Sequence, residues 1–112
     1  MTRITTHVLD TSRGCPAEGM KVTLCRMQVD RWEIVARGQT NSDGRVGDWA
    51  AADGAPGTGV YIVRFETKDY FDKRNTPSIY PFVEVYFEVT ADGHYHIPLL
   101  LSPYGYSTYR GS

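Results

Sequence analysis

The chain has 112 residues, a length at which one domain buries roughly 65% of its unfolded surface without metal or disulfide staples. Twelve Lys and Arg stand against 13 Asp and Glu, for a formal net charge of -1, and no basic run occurs. That balance leaves no electrostatic footprint for nucleic acid or an anionic membrane. No apolar run reaches membrane-spanning length, and the opening MTRITTH lacks the apolar segment of a secretory signal, so the cytoplasm is the expected location.

Eleven Gly and six Pro punctuate the chain at the spacing of an all-β sandwich or barrel. Residues 4–10 predict a first strand, β-branched and alternating, with Thr5, His7 and Leu9 on one face and Ile4, Thr6 and Val8 on the other. Arg13-Gly14-Cys15-Pro16 ends it. Residues 20–27 alternate Met20, Val22 and Leu24 against Lys21, Thr23 and Cys25, the pattern of a half-buried second strand. Residues 28–31 read as a hairpin connection into a third strand at 32–39. The cluster at 40–45, TNSDGR, is a turn in which Gly44 supplies a positive φ, and Arg45 follows at once. The Ala-, Gly- and Pro-rich stretch at 48–59 has no strong period and is expected to be a loop around a short edge strand.

Residues 60–66 resume alternation, with Tyr61, Val63 and Phe65 on the core face, and residues 68–75 predict two helical turns stopped by Pro77. FVEVYFEVT at 82–90 is among the clearest strands. Asp92-Gly93 reads as a hairpin turn that makes 94–101 its partner strand. Ser102-Pro103-Tyr104-Gly105 then turns the chain into a last short strand at 106–110. The sum is an all-β fold: an antiparallel β-sandwich of about seven to eight strands with one short helix, forming a single domain over residues 1–112.

Candidate chemistry gathers at the two ends of the chain. His94 and His96 are two apart on a strand and share a face, so they suit either a zinc site or a base beside a substrate, or else an ordinary surface next to a turn. His7, close to Asp10, reads as a hydrogen-bonded strand residue or as a third member of that group. Arg45 is a solvated loop charge or a donor fork for a planar anionic or carbonyl-rich ligand. Tyr109-Arg110-Gly111-Ser112 offers a phenol, a cation, a flexible backbone and a free carboxylate next to a hydroxyl where chains usually fray. Cys15 and Cys25 fit no zinc spacing and have no adjacent base, and are expected as free thiols.

Four stretches carry more than composition. Thr6-His7-Val8-Leu9-Asp10, Gly14-Cys15-Pro16-Ala17, Asp43-Gly44-Arg45 and above all HYHIPLLLSPYGYSTYRGS at 94–112 resemble the transthyretin-related family of 5-hydroxyisourate hydrolases across essentially the whole chain. The terminal Tyr-Arg-Gly-Ser is the most specific mark. The sister branch of secreted thyroid-hormone carriers shares the fold and the Ser-Pro-Tyr-x-Tyr-Ser-Thr turn but lacks that ending and the active-site histidines. Tyr104, where many relatives have Phe, is a conservative departure.

The resemblance implies a transthyretin-like sandwich whose dimers pair into a homotetramer with sites in the groove between them. It implies a small-molecule substrate, hydrolytic opening of the six-membered ring of 5-hydroxyisourate, and neither metal nor cofactor. His7, Arg45, His96 and Ser112 match the catalytic positions, and Tyr109, Arg110 and Gly111 complete a substrate pocket with His7 and Arg45. Opening a ring amide with water needs a base that titrates near neutrality, which histidine supplies, and a fixed cation for the charge that develops on oxygen. Two other readings remain at this level: a non-catalytic carrier of an aromatic ligand, and zinc held by His7, His94 and His96.

Overall fold

The computed structural model describes residues 2–46, 49–51 and 57–112. Two sheets face each other. The first is built on β1 (Arg3–Asp10), which pairs with the two-residue strands β2 (Cys15–Pro16) and β5 (Arg45–Val46) and, on its other side, with β9 (His94–Ser102), which in turn pairs with β10 (Gly105–Thr108). The second runs β6 (Ala50–Ala51), β4 (Trp32–Gln39), β3 (Lys21–Met27), β7 (Gly59–Phe65), β8 (Val83–Val89). The helix α1 (Thr67–Asp72) follows β7.

Alternation explains which face of each strand is buried. Ile4 and Val8 of β1 and Leu99 and Leu101 of β9 point inward from the first sheet, against Val22, Leu24, Tyr61, Val63 and Phe65 of the second. The expected core face of 60–66 is therefore the observed one. Two polar groups on the inner face of β1 are satisfied, as burial requires. The Thr6 hydroxyl donates to the Ile97 carbonyl at 2.6 Å, and Asp10, fully buried, accepts from the Ser12 hydroxyl at 2.6 Å and the Tyr70 hydroxyl at 2.8 Å. Through Tyr70 the same carboxylate pins α1 to the end of β1.

Three expectations need correction. The Asp92-Gly93 pair does not turn a hairpin. Among the described residues β8 pairs with β7, while β9 lies in the other sheet, parallel to β1 and antiparallel to β10, so residues 90–93 cross between sheets. The physical reason is that the crossover is held by the start of β1: Thr2 Oγ1 donates to Asp92 Oδ1 at 3.0 Å and the Arg3 amide donates to the Gly93 carbonyl at 2.9 Å. A parallel β1–β9 ladder accordingly replaces the purely antiparallel arrangement. The helix, expected over 68–75, ends at Asp72, because Asn75 turns left-handed (φ 53°) and the Thr76 amide reaches back to the Phe71 carbonyl; Pro77 is not what stops it.

Among the described residues seven strands have four residues or more; of the two-residue strands, β2 and β5 were expected only as turns, whereas a short edge strand was expected where β6 lies. Of the loop expected over 48–59, residues 48 and 52–56 lie outside the described residues; Ala50–Ala51 forms the edge strand and Gly59 already belongs to β7. Among the described residues no helix is long and apolar enough to cross a membrane.

Gly44 fixes where Arg45 enters the sheet. Its φ is +75°, its carbonyl accepts from the Val8 amide at 2.8 Å, and a Cβ there would strike the Val8 carbonyl oxygen and lie 3.0 Å from Pro16 Cβ. A left-handed non-glycine residue costs about 1–3 kcal/mol before any clash. Gly44→Ala is therefore expected to destabilise the fold by at least ~2 kcal/mol, read as a lower midpoint in urea; an unchanged midpoint would show that this turn does not constrain β5.

Candidate active site

The strand register assembles the site. On β1, Thr5 stands opposite His96 and Arg3 opposite His94; on the other side of β1, His7 stands opposite Arg45. Because side chains alternate, Thr5 and His7 from β1 and His94 and His96 from β9 leave the same outer face of the first sheet. The tail returns along β9 as well: the Gly111 amide donates to the His96 carbonyl at 2.8 Å, in a bridge that brings Ser112 beside His96.

A half-open cavity of about 180 Å³ lies on this face, lined by Arg45, His94, His96 and Ser112 together with Arg3 and Thr5. The structure thus brings together three of the four residues that matched catalytic positions. The fourth, His7, adjoins them as the register neighbour of Arg45. The remaining tail residues are placed differently. Tyr109 is exposed, and the Arg110 guanidinium lies 4.3 Å over the Tyr95 ring, with Nη2 donating to the His94 carbonyl at 3.3 Å. Gly111 packs so closely on His96 that an added Cβ would lie 2.5 Å from the ring carbon Cδ2. Its contribution is therefore to the placing of the imidazole.

The turn before Arg45 is braced by Asn41, whose side-chain oxygen accepts from the amides of Asp43 at 2.9 Å and Arg45 at 3.0 Å. Among the described residues no carboxylate pairs with the Arg45 guanidinium, so its charge falls on its neighbours and on whatever enters the cavity. The neighbours register it. Burial, then Arg45, pushes the pKa of His7 below 6.5, partly opposed by Asp43; burial, then Arg45, His94 and His7, pushes His96 below 6.5 as well. Both imidazoles are accordingly neutral at neutral pH, the form that accepts a proton.

Thr5 is the residue that sequence reasoning passed over. Its hydroxyl lies 2.7 Å from His94 Nε2 and 2.7 Å from His96 Nδ1. Alternation along β1 already put Thr5 and His7 on one face, but only the pairing of β1 with β9 reveals what Thr5 meets. With those two ring nitrogens joined through a hydroxyl, and among the described residues, no group of three His, Cys, Asp or Glu side chains is arranged to hold a metal ion.

Fold and site together define a two-sheet sandwich with a small-molecule pocket of neutral imidazoles and an arginine on the outer face of one sheet. The chain belongs to the HIUase/Transthyretin family, whose sequence model matches residues 4–111. It is 49% identical to the 5-hydroxyisourate hydrolase 2 of Rhizobium meliloti over 98% of this chain and 96% of that protein. The structure of Klebsiella pneumoniae 5-hydroxyisourate hydrolase superposes with a TM-score of 0.88 at 36% identity, covering 100% of both chains. Sea bream transthyretin in complex with thyroxine superposes with a TM-score of 0.89 at 29% identity, covering 97% of this chain and 94% of that one.

The electrostatic account makes a direct prediction. Removing the Arg45 charge in Arg45→Gln should raise the titration midpoints of both His7 and His96 toward 6.5, followed by NMR of the ring Cε1 protons. Unmoved midpoints would leave burial as the sole cause.

Proposed function

We propose that this chain is a cofactor-independent hydrolase that opens the six-membered ring of 5-hydroxyisourate to give 2-oxo-4-hydroxy-4-carboxy-5-ureidoimidazoline, a step of urate breakdown. The observation that carries the reading is that the matching relatives named 5-hydroxyisourate hydrolase span nearly the whole chain, and that the histidines and arginine carried over from sequence meet on one sheet face. The carrier alternative has the same sandwich behind it, but the thyroxine-bound neighbour is 29% identical, against 49% for the hydrolase of Rhizobium meliloti.

In this reading a neutral imidazole, His7 or His96, takes a proton from water as the water attacks a ring carbonyl. Arg45 stabilises the oxygen that becomes negative. The ring C–N bond then breaks, and the departing nitrogen takes a proton as the new carboxyl group forms. A positioned base is worth about 10²–10⁴-fold and an oxyanion donor about 10²–10³-fold. Ser112 positions the water or an imidazole from the cavity wall. Gly111 sets the His96 ring, while Tyr109 and Arg110 border the pocket.

The whole chain acts as one transthyretin-like domain in the cytoplasm and assembles as a homotetramer, a dimer of dimers. Support for assembly comes from the half-open cavity, which one chain leaves uncovered, and from the exposed Tyr104, Tyr106 and Tyr109, a residue type that interfaces favour.

The assay generates 5-hydroxyisourate in place with urate oxidase and follows its absorbance decay. The parent protein should accelerate decay well beyond the spontaneous rate. His7→Ala, His96→Ala and Arg45→Ala should each lose about 10²–10³-fold in kcat/KM while retaining parental circular dichroism. Decay at the spontaneous rate with the parent, or parental rates in all three variants, would end the hydrolase reading.

A further inference from the structure

One hydroxyl proton serves two contacts in the His94–Thr5–His96 cluster. Thr5 Oγ1 is 2.7 Å from His94 Nε2 and 2.7 Å from His96 Nδ1, and a hydroxyl donates once. At least one of the two rings therefore donates N–H to the threonine oxygen. Both rings could donate to Oγ1 at once, but the Thr5 proton would then have no acceptor among the described residues, so for neutral rings two arrangements use the hydroxyl proton as well. When Thr5 donates to His94 Nε2, His96 donates from Nδ1; each ring then carries its proton on Nδ1, and His96 Nε2 is a free base. When Thr5 donates to His96 Nδ1, His94 donates from Nε2; each ring then carries its proton on Nε2, and His96 presents N–H instead. In these two arrangements the tautomers of the two rings are locked together through one side chain.

Both histidines line the cavity but differ in access: His94 is exposed, whereas His96 is half-buried under the Gly111 backbone. From these placements we propose that Thr5 is a positioning and proton-relay residue, which fixes the tautomer of His96 and links it to His94 as a port to solvent. The step balances. His96 takes a proton from the attacking water on Nε2 and passes its Nδ1 proton to Thr5 Oγ1, while Thr5 passes its own proton to His94 Nε2 and His94 releases its Nδ1 proton to bulk water. Such an exit is useful because ring opening yields a carboxylic acid, with an ordinary pKa near 4, that ionises at neutral pH and leaves one proton to be removed per turnover. Arg3 opposite His94 in the register, Arg110 at the His94 carbonyl and Arg45 beside His96 are cations that favour the departure of that proton, against the terminal carboxylate of Ser112 on the same cavity wall.

The activity arm of this proposal rests on the hydrolase reading; the tautomer arm uses no substrate and stands apart from it. The test combines ¹⁵N-histidine NMR above the ordinary histidine pKa with kinetics of Thr5→Val, Thr5→Ser and His94→Phe. The parent and Thr5→Ser should show the same ring nitrogen protonated in His94 and His96, and Thr5→Val should lose that match. Thr5→Val and His94→Phe should lower kcat by about 10- to 100-fold, the range typical of residues that orient a functional histidine, with Thr5→Ser returning to within a few-fold of the parent. Opposite tautomers on the two rings of the parent would overturn the lock. Parental kcat in both Thr5→Val and His94→Phe, in a protein that does turn over hydroxyisourate, would overturn the relay.

Discussion

The parallel ladder between β1 and β9 is the constraint on which the rest depends. It joins eight residue pairs from opposite ends of the chain, from Arg3–His94 to Asp10–Leu101. Closing a loop of that length costs entropy before the ladder returns anything, so this pairing has to be specified by more than backbone hydrogen bonds. The specification is side-chain chemistry on both faces. Inside, Ile4 and Val8 pack in one cluster with Leu99 and Leu101, and Thr6 donates to the Ile97 carbonyl; outside, Thr5 meets both histidines. A slip of one residue would turn the apolar face outward and scatter the site together. Stability and chemistry thus use a single register.

The second constraint is charge. Three histidines and two arginines crowd one sheet face, and no Asp or Glu side chain lines the cavity there. Burial first, and then the positive charge of Arg45, pushes the pKa values of His7 and His96 down and favours their neutral forms, while Arg45, whose charge is not removed by ordinary pH, stays cationic. The same field that keeps the bases free of protons attracts a ligand rich in carbonyl groups and able to bear negative charge. Gly44 and Asn41 add precision rather than charge, since they set where the Arg45 backbone joins β1.

Much of the fold was legible because alternation is written residue by residue. The strand at 32–39 has the expected limits, and the inward faces of β1, β3 and β7 follow from period two. What was not legible was pairing. Asp92-Gly93 has the composition of a hairpin turn, and local composition cannot say that Thr2 and Arg3, some ninety residues away, hold it as a crossover. The two-residue strands β2, β5 and β6 are too short to carry a period. For the site, residue types pointed to a histidine, arginine and tyrosine cluster, and likeness to a family selected His7, Arg45, His96 and Ser112 from it. Thr5 escaped because a threonine on a strand is ordinary until its neighbours are known.

The claim at the centre of this account is that a neutral imidazole, kept neutral by burial and by Arg45, acts as the base. The pH dependence of kcat/KM for hydroxyisourate tests it most directly, since its acid limb reports the base in the free enzyme. With the histidine pKa values lowered from 6.5, the rate should hold as pH falls through 6.5 and decline only below it, as His7 and His96 become protonated. A limb centred at or above 6.5, or a rate indifferent to acid, would contradict it.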